Sequence, residues 1–170
     1  DLTGGFGVDS YYFSKQFKTV IHCEVNAKLA EIAIHNFTIL QADNVTTKCT
    51  DGIEFLKTLK DKFDWIYIDP SRRDTQKNKK ILIEDCSPNI STIQELVFDH
   101  CENVLIKMSP MLDISSTLQI LKNVSNVYIV AIKNEVKELL FHQEKEFQSE
   151  VTINTSNTYS GGTEHFSFKI

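Results

Sequence analysis

The sequence predicts an α/β fold: a doubly wound, Rossmann-like sheet of about seven strands, mostly parallel, with helices on both faces. One antiparallel strand is expected near the C-terminal edge. Three observations predict it. Short apolar runs alternate with helix-period segments at about 20 to 27 residues per unit, the pattern of βαβ construction. Most of the strand runs are near-continuous rather than alternating, as in sheets covered on both sides. The chain opens on a strand end, a glycine turn (Gly4-Gly5-Phe6-Gly7) and a helix start.

The elements follow in order. The first strand is already at its last residues when the chain begins without Met, so the start of that strand, any targeting signal and any further domain are expected to lie outside these 170 residues. Residues 8–17 carry Val8, Tyr11, Tyr12 and Phe13 near helical spacing. Residues 19–24 form a short apolar run closing on Glu24. Asn26 then caps a helix whose apolar face is Leu29, Ile32, Ala33 and Phe37. Residues 45–51 are a third strand ending in Asp51, and Gly52 begins a third helix. Residues 63–69 are a fourth strand ending at Asp69-Pro70-Ser71-Arg72-Arg73.

Beyond that motif lies a basic stretch, then Ile81-Leu82-Ile83 as a short strand or turn, and a helix over 91–100. A fifth strand spans 104–107, and a helix over 113–123 is capped by Asp113. Residues 127–133 and 136–142 read as an antiparallel pair, with a helix over 135–146 as the competing reading. Residues 151–154 and 165–170 suggest a hairpin around Ser160-Gly161-Gly162.

The length is one domain's worth of chain, so residues 1–170 read as a single domain, with 146–170 as an added hairpin. A composition of 41% hydrophobic and 24% charged residues is that of an ordinary soluble domain, expected in the cytoplasm. No apolar run approaches the roughly 18 residues of a membrane span, and no signal-peptide pattern is visible. A net charge of -5 argues against a domain that coats nucleic acid by electrostatics alone. Cys23, Cys49, Cys86 and Cys101 include no Cys-x-x-Cys pair and no His partner at zinc spacing. They read as reduced thiols with no metal site, Cys23 and Cys49 inside apolar strand-like runs.

In a doubly wound sheet the first and fourth strands become neighbours, and ligands bind in the crevice at their carboxyl ends. That topology brings the glycine turn on the first strand face to face with Asp69 on the fourth. Glu24 and Asp51 end the second and third strands on the same rim. Asp1 stands before the glycines, where a dinucleotide fingerprint more often extends an apolar strand. An acid there suits a ligand carrying a cationic amino group and a sulfonium. Each feature also has a plainer reading: a tight loop for the glycines, a solvated strand-end acid for Glu24, a helix N-cap for Asp51.

At these residues the chain resembles the class I S-adenosylmethionine-dependent methyltransferases. Asp1-Leu2-Thr3-Gly4-Gly5-Phe6-Gly7 resembles their first motif, with Thr3 where many members have the first glycine. The resemblance implies S-adenosylmethionine as cofactor, with Asp1, Thr3, Gly4, Gly5, Gly7 and Asp9 around its methionine part. Glu24 would accept both ribose hydroxyls, Asp51 the adenine amino group, and Asp69 would border the same site. Asp69-Pro70-Ser71-Arg72 resembles the Asp/Asn-Pro-Pro-aromatic motif of enzymes that methylate exocyclic amines. There the Asp side chain and the Pro carbonyl orient the target nitrogen, so Asp69 and Pro70 are the implied catalytic pair. Arg72 replaces the stacking aromatic of those enzymes. The uridine C5-methyltransferases, whose Asp-Pro-x-Arg is also similar, attack with a Cys after the fifth strand. This chain has Lys107-Met108-Ser109-Pro110 there instead.

Taken with Lys107-Met108-Ser109-Pro110-Met111-Leu112-Asp113, the Asp-Pro motif looks like that of uncharacterised bacterial methyltransferases carrying an RNA-binding-like (THUMP-like) domain. That implies an RNA substrate, rRNA or tRNA methylated on a base nitrogen, and a further domain of the same protein. Ser71, Arg72, Arg73 and Lys107 are the implied substrate-binding residues. Residues 72–80 hold five cations in nine positions, suited to phosphates or equally to a solvated loop. Two other readings stay open. One is a nicotinamide-dependent oxidoreductase, since Gly5-Phe6-Gly7-Val8-Asp9-Ser10 nearly fits dinucleotide spacing. The other is a non-catalytic Rossmann-like module that binds nucleic acid.

Overall fold

A computed structural model describes residues 1–72 and 83–170. The described chain forms two compact units, one of residues 1–61 and 67–69, the other of residues 62–66 and 70–170.

In the first unit, strands β1 (Val20–Cys23) and β2 (Val45–Lys48) pair in parallel, from Val20 opposite Val45 to Cys23 opposite Lys48. Three helices accompany them: α1 (Val8–Ser14), α2 (Ala27–Ile39) and α3 (Gly52–Thr58). Each of the last two starts where the sequence supplies an N-cap acceptor. Asn26 Oδ1 accepts from the Lys28 and Leu29 amides, and Asp51 Oδ1 from Ile53 and Glu54. The stripe that α2 buries is Ala30, Ala33 and Phe37. Ala33 and Phe37 are on the expected face, Leu29 is half-buried there, and Ile32 is exposed. The small residues let α2 lie close, and Phe37 fills the space with Ala33 and Ala42 while Tyr11 and Val45 pack against them.

The short segment before the glycines is the middle rail of this unit. Asp1 N donates to Ile21 O and Cys23 N to Asp1 O, both at 2.9 Å, tying the segment to β1. On its other side Leu2 N donates to Tyr67 O at 3.0 Å, at the end of β3 (Phe63–Ile68). The adjacency expected of the first and fourth strands is therefore present.

The second unit contains a six-stranded sheet in the order β10-β9-β7-β8-β6-β3. Its members are β6 (Cys101–Met108), β7 (Val124–Ile132), β8 (Glu135–Glu144), β9 (Thr152–Tyr159), β10 (Gly162–Lys169) and the first residues of β3. β8 runs antiparallel to both β6 and β7, so residues 135–144 are a strand and the helical reading of that stretch is corrected. β9 lies parallel to β7, and β10 opposes β9, which makes β10 a second reversed strand at the edge. Two short strands, β4 (Ser71–Arg72) and β5 (Cys86–Ser87), form a separate antiparallel pair. Among the described residues the assigned strands fall into sets of two, six and two, with Asp1 and Leu2 bonded to both β1 and Tyr67, and a single sheet of about seven strands is not confirmed. Ile83–Asp85 is a 3₁₀ turn, while Ile81 and Leu82 lie outside the described residues.

Helices α4 (Ile90–His100) and α5 (Ile114–Ile120) are capped by Asn89 and Asp113. On β6, Val104, Ile106 and Met108 are buried, and the residues between them are half-buried. Such period-two burial marks a sheet with one better-covered face. Phe141 and Val127 complete that core. Gln143, almost fully buried among them, donates to Gln94 Oε1 at 2.8 Å and to Lys122 O at 2.6 Å. No helix among the described residues is long and apolar enough to cross a membrane.

Candidate functional site

The glycine turn is built by a change of partner. The rail that bonds Tyr67 through Leu2 swings at Gly4, whose amide donates to Cys23 O at 2.7 Å. Gly7 N then donates back to Gly4 O at 2.9 Å, closing the turn, and α1 begins at Val8. Gly7 sits at φ 82°, a left-handed conformation that a Cβ disfavours, and a Cβ there would also strike the Phe37 ring. Gly4 needs its missing side chain for a different reason: a Cβ would occupy the space of the His22 imidazole.

Several predicted site residues meet around this turn. The Glu24 carboxylate accepts from Gly5 N through Oε2 at 2.8 Å and from Asn26 N through Oε1 at 2.7 Å. Asp1 uses both oxygens. Oδ1 accepts from Thr3 N at 3.0 Å, and Oδ2 accepts from the Ser10 hydroxyl at 2.8 Å. The Tyr67 hydroxyl donates to Asp9 Oδ2 at 2.8 Å, and the Tyr67 ring meets Phe13 edge-on. Thr3 Oγ1 accepts from the Asp69 backbone N–H at 2.7 Å. One unit thereby brings together Asp1, Thr3, Gly4, Gly5, Gly7, Asp9, Glu24 and Asp69. Asp51 caps α3 in the same unit, and the backbone of the next residue, Gly52, lies against Leu2.

The other predicted residues belong elsewhere. Pro70, Ser71, Arg72 and Lys107 are in the second unit. Ser71 is exposed on β4 and its hydroxyl donates to Ser87 O at 3.3 Å. Arg72 pairs through its backbone with Cys86. Lys107 is half-buried on β6. Arg73 and the rest of the basic stretch lie outside the described residues.

The parts that three side chains play around the turn were not legible in the sequence. Ser10, fully buried, anchors Asp1. Tyr67 anchors Asp9. His22, fully buried beneath Gly4 and edge-on to Phe37, has neither ring nitrogen in hydrogen-bond geometry with another described residue. Burial holds the His22 pKa below its ordinary value, against the opposing influence of the Gly4 and Gly5 backbone. The only sequence signal for His22 was a polar residue inside an apolar strand run. Burial likewise raises the Cys23 thiol, and pushes Cys101 in the other unit up to about 12. Cys49, expected inside a strand, is exposed.

A cofactor with a sugar and a polar tail fits these residues. Glu24 spends one lone pair on each oxygen, and a carboxylate has about four, so two hydroxyls can still be accepted. The turn itself presents bare backbone at close range, since Gly5 has open space where a Cβ would stand.

No family model matches the sequence, and no curated protein does. Solved structures do. A protein assigned to the methyltransferases from Porphyromonas gingivalis W83 is 31% identical over 99% of this chain, with a TM-score of 0.84. This chain spans only 43% of that protein's length. An rRNA methylase from Streptococcus thermophilus is 14% identical, with 87% of this chain and 85% of that one covered and a TM-score of 0.59. A protein assigned to the methyltransferases from Streptococcus mutans, solved with SAH, is 12% identical, with 84% and 85% covered and a TM-score of 0.55. The fold of this chain is the methyltransferase fold that these proteins share.

Proposed function

We propose that this chain is the catalytic domain of an S-adenosylmethionine-dependent methyltransferase that modifies a base nitrogen of RNA, rRNA or tRNA, in the cytoplasm. The observation that carries the reading is the meeting of the glycine turn with the Asp-Pro motif through Thr3 and Asp69. The Porphyromonas gingivalis protein, similar over 99% of this chain, supports methyl transfer. The Streptococcus mutans protein with SAH supports the cofactor, and the Streptococcus thermophilus protein supports RNA as substrate.

When bound, S-adenosylmethionine would supply a methyl group activated on a sulfonium, from which the neutral thioether S-adenosylhomocysteine leaves readily. The protein is left with positioning. Glu24 accepts the ribose hydroxyls. Asp51 receives the adenine amino group on the oxygen that its cap leaves over. Gly4, Gly5 and Gly7 offer backbone to the methionine part. Asp1, whose carboxylate is taken up by Thr3 and Ser10, acts by holding the turn. The Asp69 carboxylate and the Pro70 carbonyl accept hydrogen bonds from the target amine, aim its lone pair and offset the charge that develops on it. Ser71, Arg72, Arg73 and Lys107 receive the RNA, the guanidiniums through phosphate or base stacking. A further, THUMP-like domain of the same protein would select which RNA is presented.

Calorimetry with S-adenosylhomocysteine and with NAD tests the reading. Binding of the first alone is expected. Binding of NAD alone would make the chain an oxidoreductase, and binding of neither a non-catalytic module. Modified-nucleoside mass spectrometry, comparing cells with and without the full-length protein, then identifies the base. Absence of any methylated nucleoside difference would remove RNA as the substrate.

A further inference from the structure

The hydrogen-bond pattern at the end of the middle rail leaves one position to be bridged. Leu2 N bonds Tyr67 O, but two residues later Gly4 N has turned to Cys23 O. The rail and β3 diverge there, and the bridge is made by a side chain: the hydroxyl of Thr3 accepts from Asp69 N at 2.7 Å. That amide matters because Pro70 has no N–H. Asp69 N–H is the last main-chain donor before Ser71 that can fix the direction of the motif.

A hydroxyl has one proton to give and lone pairs to accept with. Thr3 Oγ1 lies 3.4 Å from Asp1 Oδ1, which can take that proton, and Asp1 in turn holds Ser10 at the start of α1. These groups form one line: helix start, carboxylate, hydroxyl, Asp69 amide.

We infer that Thr3 is a positioning residue, whose hydroxyl ties the Asp69 amide to the glycine turn and so sets the acceptor motif in register with the cofactor loop. The inference rests on the methyl-transfer reading given above and assigns Thr3 a part in the rate rather than in cofactor affinity. Thr3→Val keeps the shape and removes the hydroxyl; Thr3→Ser keeps the hydroxyl.

The test uses the full-length protein, unfractionated RNA from cells lacking it, and three readouts. Hydrogen exchange at the Asp69 amide is expected to speed up about tenfold in Thr3→Val, the loss of one ordinary hydrogen bond. The kcat for methyl transfer falls by a similar factor, with KM for RNA and affinity for S-adenosylhomocysteine within about threefold of wild type. Thr3→Ser recovers most of both losses. Unchanged exchange and kcat in Thr3→Val would overturn the inference, and so would a fall in cofactor affinity that accounts for the whole loss of rate. A wild-type protein that binds no S-adenosylhomocysteine overturns the methyl-transfer reading, and this role with it. An active wild type with an indifferent Thr3→Val overturns the role alone.

Discussion

Glu24 Oε2 accepts the backbone N–H of Gly5 at 2.8 Å, so the acid at the end of β1 holds the turn that follows the first strand. The same carboxylate is the proposed ribose acceptor, which gives one side chain two duties. Glu24→Ala removes both. Its affinity for S-adenosylhomocysteine is expected to fall by about ten- to a hundredfold, the range for one or two hydrogen bonds to a charged group. Titration calorimetry reads it, and an unchanged affinity would take Glu24 out of the site.

Asp69→Ala separates binding from chemistry. Its backbone amide is kept, so the link to Thr3 survives while the proposed amine acceptor is removed. Methyl transfer is expected to drop by about a hundredfold or more, the penalty for losing orientation at the reacting atom. Cofactor affinity stays within a few-fold. A variant with full activity on the proposed RNA substrate would mean that Asp69 does not touch the amine.

Gly7→Ala is a test of folding before it is a test of function. The new Cβ enters a left-handed backbone at φ 82° and meets Phe37, a core residue of the first unit. Backbone cost and overpacking together predict a loss of about 2 to 4 kcal/mol. Urea unfolding measures it. A loss of only a few tenths would show that Phe37 can move aside freely.

His22 makes stability depend on pH. Burial lowers its folded pKa below the ordinary 6.5, so the unfolded chain takes up a proton that the folded chain refuses. Its contribution is therefore complete above about pH 6.5 and declines as the pH falls from there toward the lowered folded value. His142 in the second unit is shifted in the same direction by burial, with Glu144 opposing. Comparing wild type with His22→Leu isolates the first histidine: the variant is expected to lose less stability between neutral and mildly acid pH. Parallel curves would show that His22 protonates without cost.

Charge reversal at Arg72 and Arg73 addresses the proposed RNA surface. For each phosphate that an arginine no longer neutralises, RNA binding is expected to weaken and the slope of log affinity against log salt to shrink by about one. Fluorescence anisotropy over a salt series measures that slope, and an unchanged value would remove both arginines from the interface.

The parts of this fold that were legible in the sequence are those governed by local rules. Asn26, Asp51 and Asp113 announce their helices because a capping side chain acts on amides two or three residues away. The glycine turn and the Asp-Pro motif were both visible, and their meeting followed from the winding order of the sheet. What each carboxylate touches was not legible. Asp1 reaches Ser10 and Glu24 reaches Gly5 across the turn, and no periodicity encodes such pairings. The hairpin of β9 and β10 was anticipated from its glycines, whereas its parallel attachment to β7 depends on a pairing between strands joined only through β8. The buried stripe of α2 was read correctly at Ala33 and Phe37 and missed at one place for a packing reason: the small Ala30 allows close approach, and the larger Ile32 is left outside.

The imidazole of His22 and the bare Cα of Gly4 occupy complementary space. Position 4 is then not free to drift alone through evolution. A lineage that acquires a side chain at 4 has to shrink the one at 22, and a lineage that keeps the imidazole is confined to glycine. The two sites are coupled in one direction: in a set of related sequences a side chain at 4 is expected only where the residue at 22 is smaller than histidine.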